Sequence, residues 1–447
     1  MVLIRFVVVA LVAALGAGCG KSLFDNGTGG DDTPGGDGGV DSRIDGPPVQ
    51  TSCTAPCLGD ASGDFDGSDR GSNGKWRYLD DNRRHVWTPM TGTTTKMGAG
   101  MNKIAKCDTG SSAAACTALP GALLVSSTGA TSLQDPAIEL TLADTKVVQL
   151  SLRVHVPAGG KAQVVRLYRS AREDVLFTGT AEVGTTLETS VVIDAFPGER
   201  ILFALAPTAG GQTDVAVQLF ASDTEEVFPK FCQIGLDFEP ASAIGNSLTN
   251  KCAGTPLTTW NDSGPSDVMT PPTFAAGPFA ESGMAADFVE GTHFDSMVSV
   301  DRSMDNTTQF WFKLDQFGVQ ATILVSDMDL DDLSPGGLVI DLFDNAGTPA
   351  IEVGTCTDGM VPVQYNLVNH AFTDHLSWHF MRVVQSGSIV KVCVDGAKLF
   401  EVPIPAGSNP SSYPIRLGRN SIWNPQAAYV DGRMDDLRIF KAALPCE

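Results

Sequence analysis

Apolar and polar residues alternate with a period of two along the C-terminal part of the chain. The alternation runs through 378–384, 389–394 and 434–440, as it does in strands that bury one face. Asp-Gly pairs at 395–396 and 431–432 stand beside these runs, and Asp-Gly next to an alternating run is typical of a β-hairpin. This region is therefore predicted to form an antiparallel sheet that packs on a second sheet.

A second series of predicted strands occupies the middle of the chain. Its apolar runs are AIELTLA, KVVQLSLRVHV, AQVVRLYR, DVLFTGT, TLETSVVID, RILFALAP and TDVAVQLFA. Gly, Pro and Asp separate these runs at the short, regular spacing of a β-sandwich or jelly roll. A chain of 447 residues is also too long for one hydrophobic core. We predict an all-β fold with two sandwich domains, at 51–226 and 227–447.

The N-terminus has the pattern of an export signal. Arg5 precedes a short apolar stretch at 6–15, and small residues lead to Cys19, so residues 1–18 are predicted to be a signal peptide. The apolar stretch is too short to span a bilayer comfortably. Cys19 after small residues resembles the lipobox of bacterial lipoproteins, although Leu15 lies one position further from the Cys than the usual aliphatic residue. We predict that Cys19 is lipidated, and ordinary signal cleavage is the alternative.

Composition limits the partners and the location. Residues 19–50 are rich in Gly, Asp and Pro and lack apolar periodicity, so they are predicted to be a flexible tether. The formal net charge of −22 argues against nucleic acid and anionic membrane surfaces as partners. Membrane contact is then predicted only through the N-terminal lipid. The expected location is the outer membrane or cell surface of a Gram-negative bacterium, with a secreted or periplasmic protein as the alternative.

Four motifs in the C-terminal half carry a resemblance to a known superfamily. They are Trp378-His379, Val394-Asp395-Gly396, Leu417-Gly418-Arg419 and the closing Gly432-x-x-Asp435-Asp436-Leu437-Arg438-Ile439-Phe440. On these motifs, residues 231–446 resemble the laminin-G-like branch of the concanavalin A-like lectin/glucanase superfamily. The resemblance implies a jelly-roll sandwich whose first and last strands lie side by side.

The same resemblance raises the question of catalysis. Glucanases of the superfamily carry Glu-x-Asp-x-Glu on one strand, which places two carboxylates at one glycosidic bond. The Glu residues of the second domain lie too far apart in sequence for this motif. They are Glu239, Glu281, Glu290, Glu352, Glu401 and Glu447. The domain is therefore predicted to have no catalytic residues.

Calcium is the cofactor that the resemblance allows, because members of the superfamily bind Ca²⁺ at the rim of the sandwich. The candidate ligands are Asp327, Asp329, Asp331 and Asp332, since hard oxygen ligands at a turn suit this ion. A solvated acidic loop is the alternative. A second Asp-rich stretch, at 64–69, is interpreted as a plain surface loop.

Other residue clusters give weaker candidates. Trp423 is predicted to contact a ligand, because it lies in a loop of the second domain. Three aromatic residues of the first domain could form a sugar platform, but core packing is the favoured interpretation. They are Trp76, Tyr78 and Trp87. The spacing of His370, His375 and His379 resembles a metal site, but His379 belongs to the strand motif and no zinc is predicted.

Ten Cys in an exported chain favour disulfides. The early four are expected to form two bridges within the first domain. They are Cys53, Cys57, Cys107 and Cys116. Cys356 and Cys393 are one candidate pair in the second domain, and the resemblance makes Cys232 and Cys446 another. Cys252 is then left without an assigned partner.

These observations predict an exported, non-catalytic protein that binds a carbohydrate or a protein ligand at the cell surface. One alternative is a structural or adhesion lipoprotein without a small-ligand site. A divergent polysaccharide hydrolase is the third hypothesis.

Overall fold

The structure is a computed structural model. It describes residues 48–446 apart from gaps at 54–55, 72, 83–85, 99–101, 109–112, 129–133, 145, 172, 225–230, 254, 263–267, 270–271, 290–291, 301, 303–304, 316–321, 327–336, 346–347, 357–364, 404–413 and 419–429. No helix of the described part is long and apolar enough to cross a membrane.

The first sandwich consists of thirteen strands and one short helix, α1 (Ala114–Ala118). The strands are β1 (Cys57–Asp60), β2 (Trp76–Asp81), β3 (Trp87–Pro89), β4 (Thr95–Met97), β5 (Lys103–Lys106), β6 (Leu123–Ser127), β7 (Asp135–Thr141), β8 (Lys146–His155), β9 (Gln163–Arg169), β10 (Val175–Ala181), β11 (Thr186–Ala195), β12 (Arg200–Pro207) and β13 (Thr213–Asp223). Sheet I has seven strands in the order β11-β8-β13-β6-β5-β4, with β1 also on β13. Sheet II has six, in the order β10-β9-β12-β7-β2-β3.

The core of the first sandwich lies between these two sheets. In β8, every second residue from Val148 to Val154 is fully buried in it, as the alternating pattern predicts. Ile201, Phe203 and Leu205 of β12 enter the same core from sheet II.

The second sandwich consists of the remaining strands and two single-turn 3₁₀ helices, Pro240–Ser242 and Ala280–Ser282. The strands are β14 (Cys232–Leu236), β15 (Ala243–Ile244), β16 (Ser247–Asn250), β17 (Thr255–Asp262), β18 (Val268–Met269), β19 (Phe274–Ala276), β20 (Met284–Phe288), β21 (Thr292–Ser299), β22 (Asn306–Leu314), β23 (Thr322–Ser326), β24 (Leu338–Asn345), β25 (Thr348–Cys356), β26 (Tyr365–Ala371), β27 (His379–Ser386), β28 (Ile389–Val394), β29 (Ala397–Pro403), β30 (Pro414–Leu417) and β31 (Gly432–Phe440).

These strands form two further antiparallel sheets. Sheet III has eight strands in the order β19-β20-β31-β22-β27-β28-β29, with β14 on β31. Sheet IV has ten, in the order β15-β16-β17-β21-β30-β23-β24-β25-β26, with β18 on β17. Phe310 and Phe312 of sheet III and Ile340 and Leu342 of sheet IV share one buried core. The all-β prediction is confirmed.

The two sandwiches meet through the outer face of sheet III. Arg382 of β27 donates a hydrogen bond to Asp174, which precedes β10, and Arg438 of β31 donates to Glu199, which precedes β12. All four side chains are buried. Two buried ion pairs therefore cross this junction, Arg382 with Asp174 and Arg438 with Glu199.

The Cys residues of the first sandwich form the bridges Cys53–Cys57 and Cys107–Cys116. In the second sandwich the structure corrects both predicted pairs. Its bridges are Cys232–Cys252 and Cys393–Cys446, with Cα–Cα distances of 5.6 and 5.8 Å.

The path of the C-terminal tail explains why Cys232 and Cys446 do not pair. β14 does lie beside β31, with Cys232 opposite Phe440, but Cys446 lies beyond the end of that strand. The tail crosses sheet III through a hydrogen bond of 3.0 Å from Leu444 N to Thr307 Oγ1 and reaches Cys393 on β28. Cys393 is thereby unavailable to Cys356, which ends β25 in the other sheet.

Candidate functional site

Two carboxylates lie directly opposite each other on the outer face of sheet IV. Asp341 of β24 is the register partner of Glu352 of β25. Each is flanked by core residues, Ile340 and Leu342 around Asp341 and Ile351 and Val353 around Glu352. Because successive side chains of a strand point to opposite faces, both carboxylates point away from the core. Side chains directly opposite on adjacent strands have Cβ atoms about 4.5–5.5 Å apart.

Burial changes the acidity of this pair. It raises the pKa of Asp341 well above its usual value, and the neighbouring charge of Glu352 raises it further. Burial also raises the pKa of Glu352. Asp341 is 6% exposed, and its Oδ1 has no hydrogen-bond partner in the described part of the chain. The pair can therefore hold a proton at a pH where an exposed carboxylate would have lost it.

A second polar group lies on the same face of sheet IV. His293 and Asp295 flank the core residue Phe294 in β21. The His293 Nε2 atom lies 3.5 Å from Asp295 Oδ2, and Arg416 Nε of the neighbouring β30 lies 3.2 Å from Asp295 Oδ1. This face of sheet IV thus carries carboxylates, which accept hydrogen bonds, and the planar guanidinium of Arg416, which donates them.

The local sequence explains why Asp341 and Glu352 meet. β24 ends at Asn345, β25 begins at Thr348, and these two residues are paired. A hairpin with a two-residue connection fixes the register of all earlier pairs, so Asp341 must face Glu352. The Glu-x-Asp-x-Glu pattern compares carboxylates along one strand only and does not detect this cross-strand pair. The hairpin spacing was the signal that could have found it.

Several predicted site residues lie outside the described residues. They are Cys19, Asp327, Asp329, Asp331, Asp332 and Trp423. Within the described ranges, no group of three or more His, Cys, Asp or Glu side chains is placed to hold a metal ion.

The Asp-rich stretch of the first domain is organised by internal hydrogen bonds. Asp64 Oδ2 accepts hydrogen bonds from Trp76 Nε1 at 2.8 Å and from Asn73 Nδ2 at 2.6 Å. Asp69 pairs with Lys96 at 3.0 Å. Trp76, Tyr78 and Trp87 are all buried. Trp76 and Tyr78 lie in the core of the first sandwich, and Trp87 packs against Phe279 of the second sandwich.

His379 is tied to the hairpin that follows it. Its Nδ1 atom lies 2.6 Å from Asp395 Oδ2, and Asp395 has a φ of 53° at the turn before Gly396. Burial disfavours the charged imidazolium, but the hydrogen bond and charge of Asp395, with the charge of Asp374, outweigh it and raise the pKa of His379. This geometry supports a structural role for His379.

Comparison with known families agrees with this fold. Residues 290–447 match the family model Laminin_G_3, described as the concanavalin A-like lectin/glucanases superfamily. Residues 290–447 are therefore similar to a laminin-G-like domain of that superfamily, as the motifs in this part of the chain predicted. No curated protein matches the chain.

Solved structures with similar folds have low sequence identity. Domain 4 of AbnA, a GH43 extracellular arabinanase from Geobacillus stearothermophilus in complex with arabinotriose, is 17% identical, with 48% of this chain and 95% of that chain covered and a TM-score of 0.36. Botulinum neurotoxin type C, which depends on two ganglioside molecules to enter cells, is 11% identical, with coverages of 48% and 49% and a TM-score of 0.35. The binding domain of Paraclostridial mosquitocidal protein 1 is 14% identical, with coverages of 48% and 50% and a TM-score of 0.35. The match thus spans about half of each toxin chain.

Proposed function

We propose that this protein binds carbohydrate through the outer face of sheet IV. The observation that carries the proposal is the cross-strand pair Asp341 and Glu352, on the same face as Asp295 and Arg416, within a laminin-G-like domain. Sugar hydroxyls both donate and accept hydrogen bonds. Carboxylates supply acceptors for them, and the guanidinium supplies donors.

The proposal also includes the export of the protein and its attachment to the membrane. The signal pattern before Cys19 supports export and lipid anchoring, and the Gly- and Asp-rich residues 19–50 support a tether between the lipid and the folded part. Calcium bound by the Asp327–Asp332 loop and a ligand contact from Trp423 are further parts of the proposal, and they rest on the sequence alone.

A glycan array probed with the chain lacking its predicted signal peptide tests the sugar site. Binding is expected for the wild type and is expected to be lost in Glu352→Gln and Arg416→Gln. Glu401→Gln is the matched control, because Glu401 is an exposed carboxylate paired with Lys398 at the edge of sheet III. An array without signal contradicts the proposal and favours the structural or adhesion hypothesis. A signal that survives both substitutions contradicts the sheet IV site.

The same carboxylate pair favours one second candidate, glycoside hydrolysis. Retaining glycosidases hold two carboxyl groups about 5–5.5 Å apart, one of them with a raised pKa that lets it act as an acid. Asp341 and Glu352 lie directly opposite each other, so their Cβ atoms are about 4.5–5.5 Å apart and both carboxyl groups extend from the same face. Release of reducing ends from a polysaccharide panel measures this activity. Turnover abolished by Glu352→Gln and retained in Glu401→Gln would replace the binding proposal with a hydrolase.

A further inference from the structure

A cavity of about 200 Å³ lies where the two sandwiches meet, and neither Asp341 nor Glu352 of sheet IV lines it. Its lining comes from both sandwiches and includes Arg169 and Glu199 from the first and Trp311 and Asp435 from the second. A water molecule occupies about 30 Å³ in the liquid, so the cavity has room for a small molecule. The exposed residue Pro197 stands at its mouth.

The charged side chains around this cavity form a chain of alternating sign. Its members are Arg382, Asp174, Arg169, Glu199, Arg438 and Asp436. Lys251 and Asp237, which also line the cavity, form a separate ion pair at 2.9 Å. Four cationic and four anionic side chains are thus paired around the cavity. A ligand with a net charge would disturb that balance in a desolvated place, whereas a neutral ligand would not.

Arg169 is the member of the network whose hydrogen bonding is incomplete. It is 1% exposed, and none of its three guanidinium nitrogens makes a hydrogen bond within the described residues. Its Nε atom lies 3.3 Å from Glu199 Oε1 and 3.7 Å from Asp174 Oδ2, which are ion-pair contacts only. A buried donor without an acceptor lowers the stability of the folded protein. A ligand in the cavity that Arg169 lines can supply the missing acceptors.

Two further carboxyl groups on the opposite side of the cavity have no ion-pair partner among the described residues. Asp435 is 2% exposed, and burial raises its pKa well above the usual value, as do the charges of Asp436, Glu239 and Asp237. Burial likewise raises the pKa of Glu239, whose Oε1 accepts a hydrogen bond of 2.9 Å from Met284 N. These carboxyl groups can exchange hydrogen bonds with hydroxyl groups in either direction.

The remaining lining is aromatic. Phe279 and Trp311 pack edge to face with ring centroids 5.7 Å apart, and both rings border the cavity. A pocket that joins apolar walls to a few convergent polar groups is the usual form of a small-molecule site.

We propose that this junction cavity is a second binding site, which takes one neutral, polyhydroxylated ring such as a monosaccharide. Ligand oxygens accept hydrogen bonds from Arg169, ligand hydroxyls bond with Asp435 and Glu239, and the apolar face of the ring lies against Phe279 and Trp311. The site needs both sandwiches, because Arg169 comes from one and Asp435 from the other. It does not depend on the sheet IV site.

Isothermal titration of the signal-free chain with glucose, galactose, arabinose and N-acetylglucosamine tests the proposal. Glucosamine and galacturonate serve as charged analogues. Arg169→Gln is expected to weaken the binding of a neutral sugar by about tenfold or more, as loss of hydrogen bonds to a charged group does. Pro197→Trp is the companion variant, because it enlarges an exposed residue at the mouth and leaves the buried network intact. Circular dichroism verifies that both variants fold.

Glu352→Gln separates this site from the one on sheet IV. Neutral-sugar binding that is weakened by Arg169→Gln or Pro197→Trp and unchanged by Glu352→Gln supports the junction site, whatever the array shows for sheet IV. The proposal is overturned if no neutral sugar binds at millimolar concentration or if only a charged analogue binds. It is equally overturned if binding is lost in Glu352→Gln and kept in both junction variants.

Discussion

Arg382 and Asp174 form an ion pair between residues 208 positions apart, and both side chains are almost fully buried between the two sandwiches. Asp174 also accepts a hydrogen bond of 3.0 Å from Gln309 Nε2. The guanidinium of Arg382 donates to the backbone oxygens of Val175 and Pro445 as well. One arginine thus connects the first sandwich, the second sandwich and the C-terminal tail.

Removal of one partner of this pair should be strongly destabilising. Asp174→Ala leaves the buried charge of Arg382 without its counterion, and such a loss typically costs about 3–5 kcal/mol. Chemical denaturation measures the free energy of unfolding. Glu401→Ala is the control, because its pair with Lys398 is exposed and should be worth about 0.2–1 kcal/mol. Equal effects of the two substitutions would show that the junction pair does not hold the sandwiches together.

The pair of His379 with Asp395 should make stability depend on pH. The pKa of His379 is raised in the folded state, so the folded protein retains the proton to a higher pH than the unfolded chain, whose value is about 6.5. The stabilisation is fully present below that value and is lost as pH rises through the folded pKa.

Asp395→Asn tests this dependence, because Asn tolerates the positive φ of 53° at this turn. Unfolding free energies measured between pH 5 and 9 should fall less steeply with rising pH in the variant than in the wild type. An unchanged slope would assign the pH dependence to other groups.

The ionised carboxylate of Asp435 should destabilise the folded state. Burial raises its folded pKa well above the usual value, so the folded state binds the proton more tightly than the unfolded chain. Stability is then reduced at neutral pH and recovers as pH falls through the folded pKa. Asp435→Asn, which mimics the neutral carboxyl group, should raise the melting temperature at pH 7. Asp287→Asn is a control on a partly exposed carboxylate paired with Arg433, and no gain is expected there.

Gly432 should not tolerate a side chain. A Cβ at this position would lie 2.3 Å from the carbonyl oxygen of Lys313 and 2.7 Å from Cα of Leu314. Both contacts are with backbone of β22, which cannot rotate away, so Gly432→Ala should cost about 1–3 kcal/mol. Gly159→Ala is the matched control, because nothing lies within 4 Å of its Cβ position. Equal melting temperatures for the two variants would contradict this packing.

The sequence predicts local structure better than it predicts contacts between distant segments. The Asp395-Gly396 turn joins β28 to β29 as its hairpin signal indicated. The same signal predicts a turn at Asp431-Gly432, but Gly432 begins β31 and allows the close approach of that strand to β22. The two Asp-Gly pairs are alike in sequence but differ in backbone conformation, because Asp395 and Gly396 have φ values of 53° and 78° whereas Gly432 lies in a strand.

The candidate sites depend on contacts that no short motif records. Asp341 and Glu352 meet through hairpin register, which an inspection of single strands cannot reveal. Arg169 and Asp435 line the same cavity only because the two sandwiches pack against each other. The pairing of Cys446 with Cys393 likewise follows from the direction of a tail after its last strand, which strand order alone does not fix.

The ring of Phe279, from the second sandwich, lies between Trp87 of the first, at a centroid distance of 6.2 Å, and Trp311, at 5.7 Å. A laminin-G-like domain cut from this chain at its N-terminal boundary would expose Phe279, Trp311 and Phe380 to water together with unpaired arginines. Large exposed apolar patches of this kind promote aggregation. The part of the chain that matches the family model, 290–447, is thus a poor unit of expression by itself, and soluble material for biochemical work should retain both sandwiches.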